Sequence, residues 1–163
     1  MAGDGSNPDA EASRAVQRSA PHVPDANPDP NTFLGTMPNT LMATLGISVK
    51  EASPERVVAT MPVTAAHHQP YGILHGGASV SLAETVASIG AGVAASAAGA
   101  RVVGLEINAN HLRPVREGIL TAVGTPLHRG RRTQVWSVEI RDASERLVCV
   151  SRCTLAVLEG ASG

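Results

Sequence analysis

The stretch HHQPYGILHGGASVSLAETVAS, residues 67–88, decides the fold, because it joins a polar, glycine-containing loop to a long uncharged segment. Between Gly76 and Ala100 the only residue with a formal charge is Glu84. The larger apolar residues recur at helical spacing over a length too great for a strand, which predicts a helix over 77–97. A solvated helix carries several charges on its outer face, so we expect this helix to be covered on more than one side.

A membrane span is the alternative interpretation of residues 76–100, which are long enough to cross a bilayer. Ala, Gly and Ser dominate them, and Glu84 lies near their middle, where a carboxylate is costly in lipid. Strand patterns flank them instead of basic loops. We therefore expect a buried core helix and no membrane partner.

Strand patterns lie on both sides of the long helix. A short helix in TMPNTLMATLGI ends at Gly46, and ISVKEA and RVVATMPV then predict two strands around a SPER turn. Four strands follow the long helix, with turns at PVREG and RDASER: RVVGLEINANHLR, EGILTAVGTPL, TQVWSVEIRD and RLVCVSRCTLAVL. The last is apolar on both faces, which favours a central position. This order predicts an α+β fold in which an antiparallel sheet of about six strands curls around one helix.

Composition bounds the rest of the chain. Residues 1–35 are rich in proline and lack an apolar period, which predicts a flexible tail before a domain at 36–160. No apolar signal-peptide core follows the first residue, so the cytoplasm is the expected compartment.

A net charge of -1 and one Trp, one Tyr and one Phe argue against nucleic-acid binding. Cys149 and Cys153 are expected to be buried free thiols.

The sequence His75-Gly76-Gly77 opens the predicted helix. The first N–H groups of a helix have no internal partner, and glycine lets a ligand approach them, so the Gly76 N–H can stabilise a carbonyl oxygen that becomes an oxyanion. Glu84 lies about 12 Å farther along the same helix axis, at ~1.5 Å per residue. If both groups act on one substrate, the active site must be shared between two chains.

Three further polar residues lie close to these two. Ser88 is one helical turn after Glu84 on the same face, where it can bond the carboxylate or hold a water. Gln69 and His75 precede the helix and can position an oxyanion. Each residue also has a structural alternative: a tight turn at the glycines, a helix cap at His75, close packing at Ser88, or an ion pair at Glu84.

The stretch QPYGILHGGASVSLAE resembles the signature of the hotdog-fold acyl-CoA thioesterases, in the branch with phenylacetate-pathway and 4-hydroxybenzoyl-CoA thioesterases. The stretches VVGLEINANHLRPVREG and LHRGRRTQVWSVEIRD strengthen the resemblance, which covers 36–158. The most similar group hydrolyses 1,4-dihydroxy-2-naphthoyl-CoA in menaquinone biosynthesis, and a related group proofreads aryl carrier proteins in siderophore synthesis. The resemblance implies a hotdog fold and hydrolysis of an acyl-CoA, with an aromatic acyl group favoured.

The resemblance also implies roles for individual residues. Glu84 matches the catalytic carboxylate, Gly76 the oxyanion-polarising N–H assisted by Gln69 and His75, and Ser88 the water-positioning hydroxyl. The positions that match coenzyme A contacts are Gly104, His111, Leu112, Arg113, Pro114, His128, Arg129, Gly130, Arg131, Arg132 and Thr133. Carboxylate and helix start come from different subunits in this branch, usually in a tetramer built as a dimer of dimers. No cofactor is implied, since coenzyme A is part of the substrate.

Some alternatives stay open. Arg131 stands where the family often has a small hydroxyl residue; arginines in this loop suit the phosphates of coenzyme A, but a solvated turn is the plain alternative. The histidines lack a metal-ligand spacing such as H-x-x-x-H, so no metal is expected. A broad-range or proofreading thioesterase, a hotdog dehydratase or hydratase, and a non-catalytic acyl-CoA-binding module are the rival functions. The HGG…E pattern and the presence of Glu84 argue against the last two.

Overall fold

The computed structural model describes residues 30–159; residues 1–29 of the predicted tail and 160–163 lie outside this range. Two helices and six strands follow a 3₁₀ turn at Pro30–Phe33. They are α1 (Leu41–Thr44), β1 (Ser48–Ala52), β2 (Val57–Val63), α2 (Gly76–Ser96), β3 (Arg101–His111), β4 (Gly118–Arg129), β5 (Thr133–Arg141) and β6 (Leu147–Leu158), with a second 3₁₀ turn at Ala65–His67.

The six strands form one antiparallel sheet in the order β1-β2-β4-β5-β6-β3. Helix α2 packs against all six strands. The alternating burial of strands such as β2 and β5 gives the sheet one face toward this helix. The predicted α+β fold, with one long helix wrapped by a six-stranded sheet, is therefore confirmed.

The path after β3 differs from the expected simple turn at PVREG. Strand β3 pairs with β6, from Arg101 opposite Leu158 to His111 opposite Cys149, whereas β4 pairs with β2 and β5. Residues 112–117 therefore cross the end of the sheet. The N–H groups of Leu112 and Arg113 both donate to Val148 O, at 2.8 and 3.4 Å, which holds the crossing segment against β6. Alternation predicts that a strand forms but not which strand it joins.

Close contact between α2 and the sheet depends on two glycines. A Cβ at Gly90 would lie 2.3 Å from the ring of Trp136, and one at Gly124 would lie 2.4 Å from Val86 Cγ1. The helix therefore rests directly on the only tryptophan of the chain. The Trp136 Nε1–H donates to Gln134 Oε1 at 3.1 Å, so this buried polar atom is satisfied.

The composition of α2 is that of a core helix. It is long and apolar enough to cross a membrane, but most of its apolar stretch is buried inside the fold. Its near absence of charge follows from this burial, since strands cover most of its surface. The cysteines of β6 are free and buried as expected.

The two sheet edges differ in length and chemistry. Strand β1 has five residues and carries Lys50 and Glu51, which are features that discourage edge pairing. Strand β3 has eleven residues, and its Val103 and Leu105 side chains are 47% and 61% exposed. The β3 edge therefore leaves a long row of backbone groups and apolar side chains without a partner in the described chain.

Candidate active site

Helix α2 begins with one free backbone donor. His75 is the N-cap, and its Nδ1 accepts from the Gly77 N–H at 2.8 Å. The Ala78 N–H donates to His75 O at 3.0 Å. Among the described residues, no group accepts a hydrogen bond from the Gly76 N–H. His75 thus has the capping role that the sequence left open, and the Gly76 N–H is the donor left for a ligand.

A cleft of about 310 Å³ lies beside this donor, and we call it the helix-start cleft. The Gln69 Oε1 accepts from the Tyr71 N–H at 2.6 Å, which leaves the Gln69 amide nitrogen as a donor. The His111 ring lies against Gly76, since a Cβ there would come within 2.8 Å of its Nε2. The cleft brings together six residues predicted from the sequence, Gln69, Gly76, His111, Leu112, Arg113 and Pro114.

Glu84 and Ser88 line a second groove, of about 360 Å³, which we call the carboxylate groove. Glu84 is half-buried, and within residues 30–159 no hydrogen bond or ion pair engages its carboxylate. Gly104 of β3 makes room for it, because a Cβ at that position would lie 2.7 Å from Glu84 Oε1. In this part of the chain, Glu84 does not have the ion pair that was its structural alternative.

The two sites are separate in one chain. No residue lines both the helix-start cleft and the carboxylate groove. Gly76 and Glu84 are both on α2, a regular helix, so their separation of about 12 Å along the axis is retained.

The basic loop predicted from the sequence lies at the opposite end of the sheet from His111. Thr133 faces Ala156 of β6, whereas His111 faces Cys149, which puts about 23 Å between them at ~3.3 Å per residue. Residues 128–133 span the end of β4, the β4–β5 turn and the start of β5, and the Gly130 N–H donates to Thr133 O at 2.9 Å. This loop therefore does not join the helix-start cleft within one chain.

The arginines of the predicted coenzyme A contacts differ in whether their side chains already make hydrogen bonds within the chain. Arg129 Nη1 donates to Pro54 O at 3.1 Å and to Glu55 Oε1 at 3.3 Å, which ties it to the β1–β2 turn. Arg113 Nη1 donates to Leu147 O at 2.5 Å. The side chains of Arg131 and Arg132 are exposed. Arg131 borders a cleft of about 560 Å³ at the end of α2, together with Arg129 and Gly130.

Sequence reasoning missed three residues beside Glu84. Leu41 and Met42 of α1 form part of the carboxylate groove, although they lie far from Glu84 in the chain. Cys153 is fully buried on β6, and desolvation, with smaller effects from the Glu84 and Glu106 carboxylates, raises the pKa of its thiol to about 11. The thiol therefore stays neutral and unreactive near neutral pH. No sequence pattern links these residues to Glu84.

The adjacent residues His67 and His68 stabilise the loop before α2 through hydrogen bonds. The buried His67 ring bonds at both nitrogens, with Nδ1 accepting from the Thr64 N–H at 3.1 Å and Nε2 contacting Leu45 O at 3.1 Å. The His68 Nε2 bonds Arg116 O at 2.7 Å. Over the described residues 30–159, no group of three His, Cys, Asp or Glu side chains is arranged to hold a metal ion.

Comparisons with known proteins identify the family of this chain. Residues 71–149 match the sequence model of the thioesterase superfamily. Bacillus subtilis ComA2, provisionally named an esterase, is 53% identical over 123 residues, which are 76% of this chain and 98% of that protein. The 1,4-dihydroxy-2-naphthoyl-CoA hydrolase of Escherichia coli is 50% identical over 114 residues, covering 70% and 83% of the two chains.

A solved structure shows the same architecture. The crystal structure of a thioesterase from Haemophilus influenzae matches with a TM-score of 0.72 and 46% identity, covering 77% of this chain and 87% of that one. The long helix on a six-stranded antiparallel sheet is thus the hotdog fold. The chain belongs to the thioesterase superfamily and is a thioester hydrolase.

Proposed function

We propose that this thioesterase hydrolyses an aromatic acyl-CoA, with 1,4-dihydroxy-2-naphthoyl-CoA of menaquinone biosynthesis as the leading substrate. The observation that carries this proposal is the Glu84 carboxylate, which has no partner in the described chain and faces an open groove. Relatives named as hydrolases of that naphthoyl-CoA, from Escherichia coli and Listeria monocytogenes, are 50% and 48% identical to this chain.

The complete site requires two chains in this proposal. Each chain carries two half-sites in this proposal, the helix-start cleft with Gly76 and the carboxylate groove with Glu84. Strand β3 contacts both, since Gly104 lies against Glu84 and His111 lies against Gly76. If two β3 edges pair antiparallel about their middle, His111 and Gly76 of one chain approach Gly104 and Glu84 of the other. The exposed Val103 and Leu105 give this edge apolar surface to bury. A homodimer with shared sites fits these features, and the resemblance to the family adds the proposal that two such dimers form a tetramer.

The chemistry follows from the two half-sites. The Gly76 N–H of one chain, with the Gln69 amide, polarises the thioester carbonyl. Glu84 of the other chain either attacks the carbonyl carbon or takes a proton from a water that attacks it. The thiolate of coenzyme A leaves, and its sulfur takes up a proton; attack by Glu84 would leave an anhydride that water then hydrolyses. Ser88, one turn from Glu84, holds the water in this scheme.

Isotope labelling separates the two roles of Glu84. A single turnover in oxygen-18 water puts label into the Glu84 carboxylate when an anhydride forms and water attacks its glutamyl carbon. Direct attack of water on the thioester puts label only into the product acid. Mass spectrometry of the peptide containing Glu84 reads out the difference.

Coenzyme A contacts are proposed at two places. The exposed Arg131 and Arg132 guanidinium groups suit phosphate groups. His111 to Pro114 line the helix-start cleft, where the pantetheine end would enter. These regions lie about 23 Å apart in one chain. Either they contact different parts of one substrate molecule, or the two regions that surround one substrate come from different chains.

Release of free thiol from an acyl-CoA panel tests the function. The panel contains 1,4-dihydroxy-2-naphthoyl-CoA, 4-hydroxybenzoyl-CoA, phenylacetyl-CoA and palmitoyl-CoA. We expect the highest kcat/KM for an aromatic acyl group, with weaker activity on the others, because apolar pockets discriminate modestly between similar groups. Binding of all four without turnover would make the chain a non-catalytic acyl-CoA-binding protein instead.

A proofreading role is the second candidate. A relative from Cronobacter turicensis named as a proofreading thioesterase is 45% identical over 123 residues, 76% of this chain and 89% of that protein. The same half-sites would then act on an aryl group carried by a protein. Faster hydrolysis of an aryl thioester on a carrier protein than of the matching aryl-CoA would favour this role.

A further inference from the structure

One wall of the carboxylate groove comes from outside the long helix. Ser81, Glu84, Thr85, Ser88 and Ile89 of α2 form one side, and Leu41 and Met42 of α1 form the other. Leu41 is 59% exposed although it is apolar. It also borders a neighbouring groove of about 300 Å³ that reaches His75 and Gly77. Leu41 therefore lies on the open face of α2, between the helix start and the carboxylate.

The α2 side of the groove presents mainly hydroxyl-bearing side chains, and its one apolar residue, Ile89, is buried. The Ser81 hydroxyl donates to Gly77 O at 2.9 Å, and the Thr85 hydroxyl donates to Ser81 O at 2.7 Å. Both hydroxyl hydrogens are thus already donated to backbone carbonyls of the helix, and short side chains cover this face. An acyl group whose carbonyl carbon is within reach of Glu84 must begin in this groove. Its apolar part then packs on Leu41, the apolar side chain left exposed there.

Helix α1 is fixed in place despite its four residues. Met42 is buried, and its carbonyl accepts from the Ile47 N–H at 2.8 Å. The His67 Nε2 bonds Leu45 O at 3.1 Å and attaches the end of α1 to the loop before α2. A wall held this way can discriminate by size, because it cannot simply move aside.

The wall also lies outside the part of the chain that matches the superfamily model, residues 71–149, which contains Glu84 and Gly76. Leu41 and Met42 are thus in a different segment of the chain from Glu84 and Gly76. We propose that Leu41 is a specificity-determining residue that limits the breadth of the acyl group accepted beside Glu84. This inference rests on the proposed acyl-CoA hydrolysis.

Variants of different size at Leu41 test this role. Leu41→Ala and Leu41→Trp are compared with wild type on benzoyl-CoA and 2-naphthoyl-CoA, which differ by one ring. The control is the matched pair Ile119→Ala and Ile119→Trp, because Ile119 is 57% exposed and lies on the outer side of β4, away from the groove. The measured quantity is the ratio of kcat/KM for the two-ring substrate to that for the one-ring substrate.

We expect Leu41→Trp to lower this ratio by about tenfold or more, and Leu41→Ala to raise it by about threefold or more, whereas the Ile119 variants keep the wild-type ratio. Light scattering and thermal unfolding check assembly and stability. Equal losses on both substrates, or an unchanged ratio in a folded Leu41→Ala protein, overturn the inference and make Leu41 a packing or interface residue. If wild type hydrolyses neither ester nor any other of the panel, the proposed function itself fails, and this inference with it.

Discussion

The helix-start cleft and the carboxylate groove lie on the same helix but have opposite chemistry. The cleft offers donors, from the Gly76 N–H, the Gln69 amide and Arg113. The groove offers an acceptor, Glu84, among hydroxyl and apolar side chains. Neither alone can both polarise a carbonyl and deliver a nucleophile to it. This difference is the reason for our proposal that a complete site combines the helix-start cleft of one chain with the carboxylate groove of another.

Removing the carboxylate has the largest expected effect. Glu84→Gln should lower kcat by about 10³-fold or more, a loss typical of an essential catalytic group. Its free energy of unfolding should stay within about 0.5 kcal/mol of wild type, because Glu84 is half-buried and makes no described ion pair. Thiol release and chemical unfolding measure both quantities. Glu139→Gln, at an exposed residue paired with Arg141, is the control; a Glu84→Gln protein with most of its activity would refute the assignment.

Removing the Gly76 N–H donor has the second largest expected effect on kcat. Gly76→Pro deletes one N–H at the first helical position, where proline is well tolerated, and His75 is extended with ψ 132, as a residue before proline must be. We expect kcat to fall by about 10²-fold. Gly76→Ala is the matched control, because it keeps the N–H while its Cβ meets His111 at the same 2.8 Å. Equal losses in both variants would assign the effect to displacement of His111.

Mixing the two variants tests whether the halves come from different chains. Glu84→Gln and Gly76→Pro proteins are denatured together, refolded and assayed. Random pairing makes half the dimers mixed, and each mixed dimer contains one intact site, so roughly a quarter of wild-type activity should return. Each variant refolded alone is the control. No recovery, with mixed dimers demonstrated by mass spectrometry, would mean that each site is built from a single chain.

A smaller effect is expected where β3 touches the carboxylate. Gly104→Ala adds a Cβ 2.7 Å from Glu84 Oε1, so the carboxylate must move, and we expect a loss in kcat of about tenfold. Gly92→Ala is the control, since its Cβ meets only Val102 Cγ2 at 3.8 Å. That variant should keep its activity and gain about 0.5–1 kcal/mol of stability from helix propensity. Unchanged kcat in Gly104→Ala would show that the carboxylate tolerates displacement.

The smallest expected effect is a pH dependence of the free energy of unfolding that arises from the buried Cys153 thiol on β6. The folded protein keeps the Cys153 thiol neutral, with a pKa raised from 9.0 to about 11. Its contribution to stability is complete below pH 9 and is lost as pH rises toward 11, by at most about 1.4 kcal/mol per unit. Cys153→Ala should be less stable at pH 8, because a buried sulfur is removed, but its stability should fall less steeply up to about pH 10.5. Urea unfolding across this range gives the slopes; parallel slopes would exclude Cys153 as the titrating group.

How far the sequence predicts the site depends on the kind of residue. Gly76, Glu84 and Ser88 lie on helix α2, where helical geometry alone orders them, and Gln69 and His75 lie shortly before it in the chain. Only contacts in the folded chain could decide between their functional and structural roles. In the structure His75 caps helix α2, and Glu84 has no described ion pair. Leu41, Met42 and Cys153 reach Glu84 only through folding, which no local pattern encodes.

The sequence by itself determined the secondary structure and the chemistry available, because hydrophobic period and residue type are local properties. It predicted the long core helix, six strands and the roughly 12 Å between Gly76 and Glu84. Only the tertiary structure decided that β3 leaves its neighbours in the chain to pair with β6, and that 112–117 cross the sheet to do so. That choice depends on which apolar faces bury one another, a property of the whole fold, and it brings Gly104 against Glu84 and His111 against Gly76.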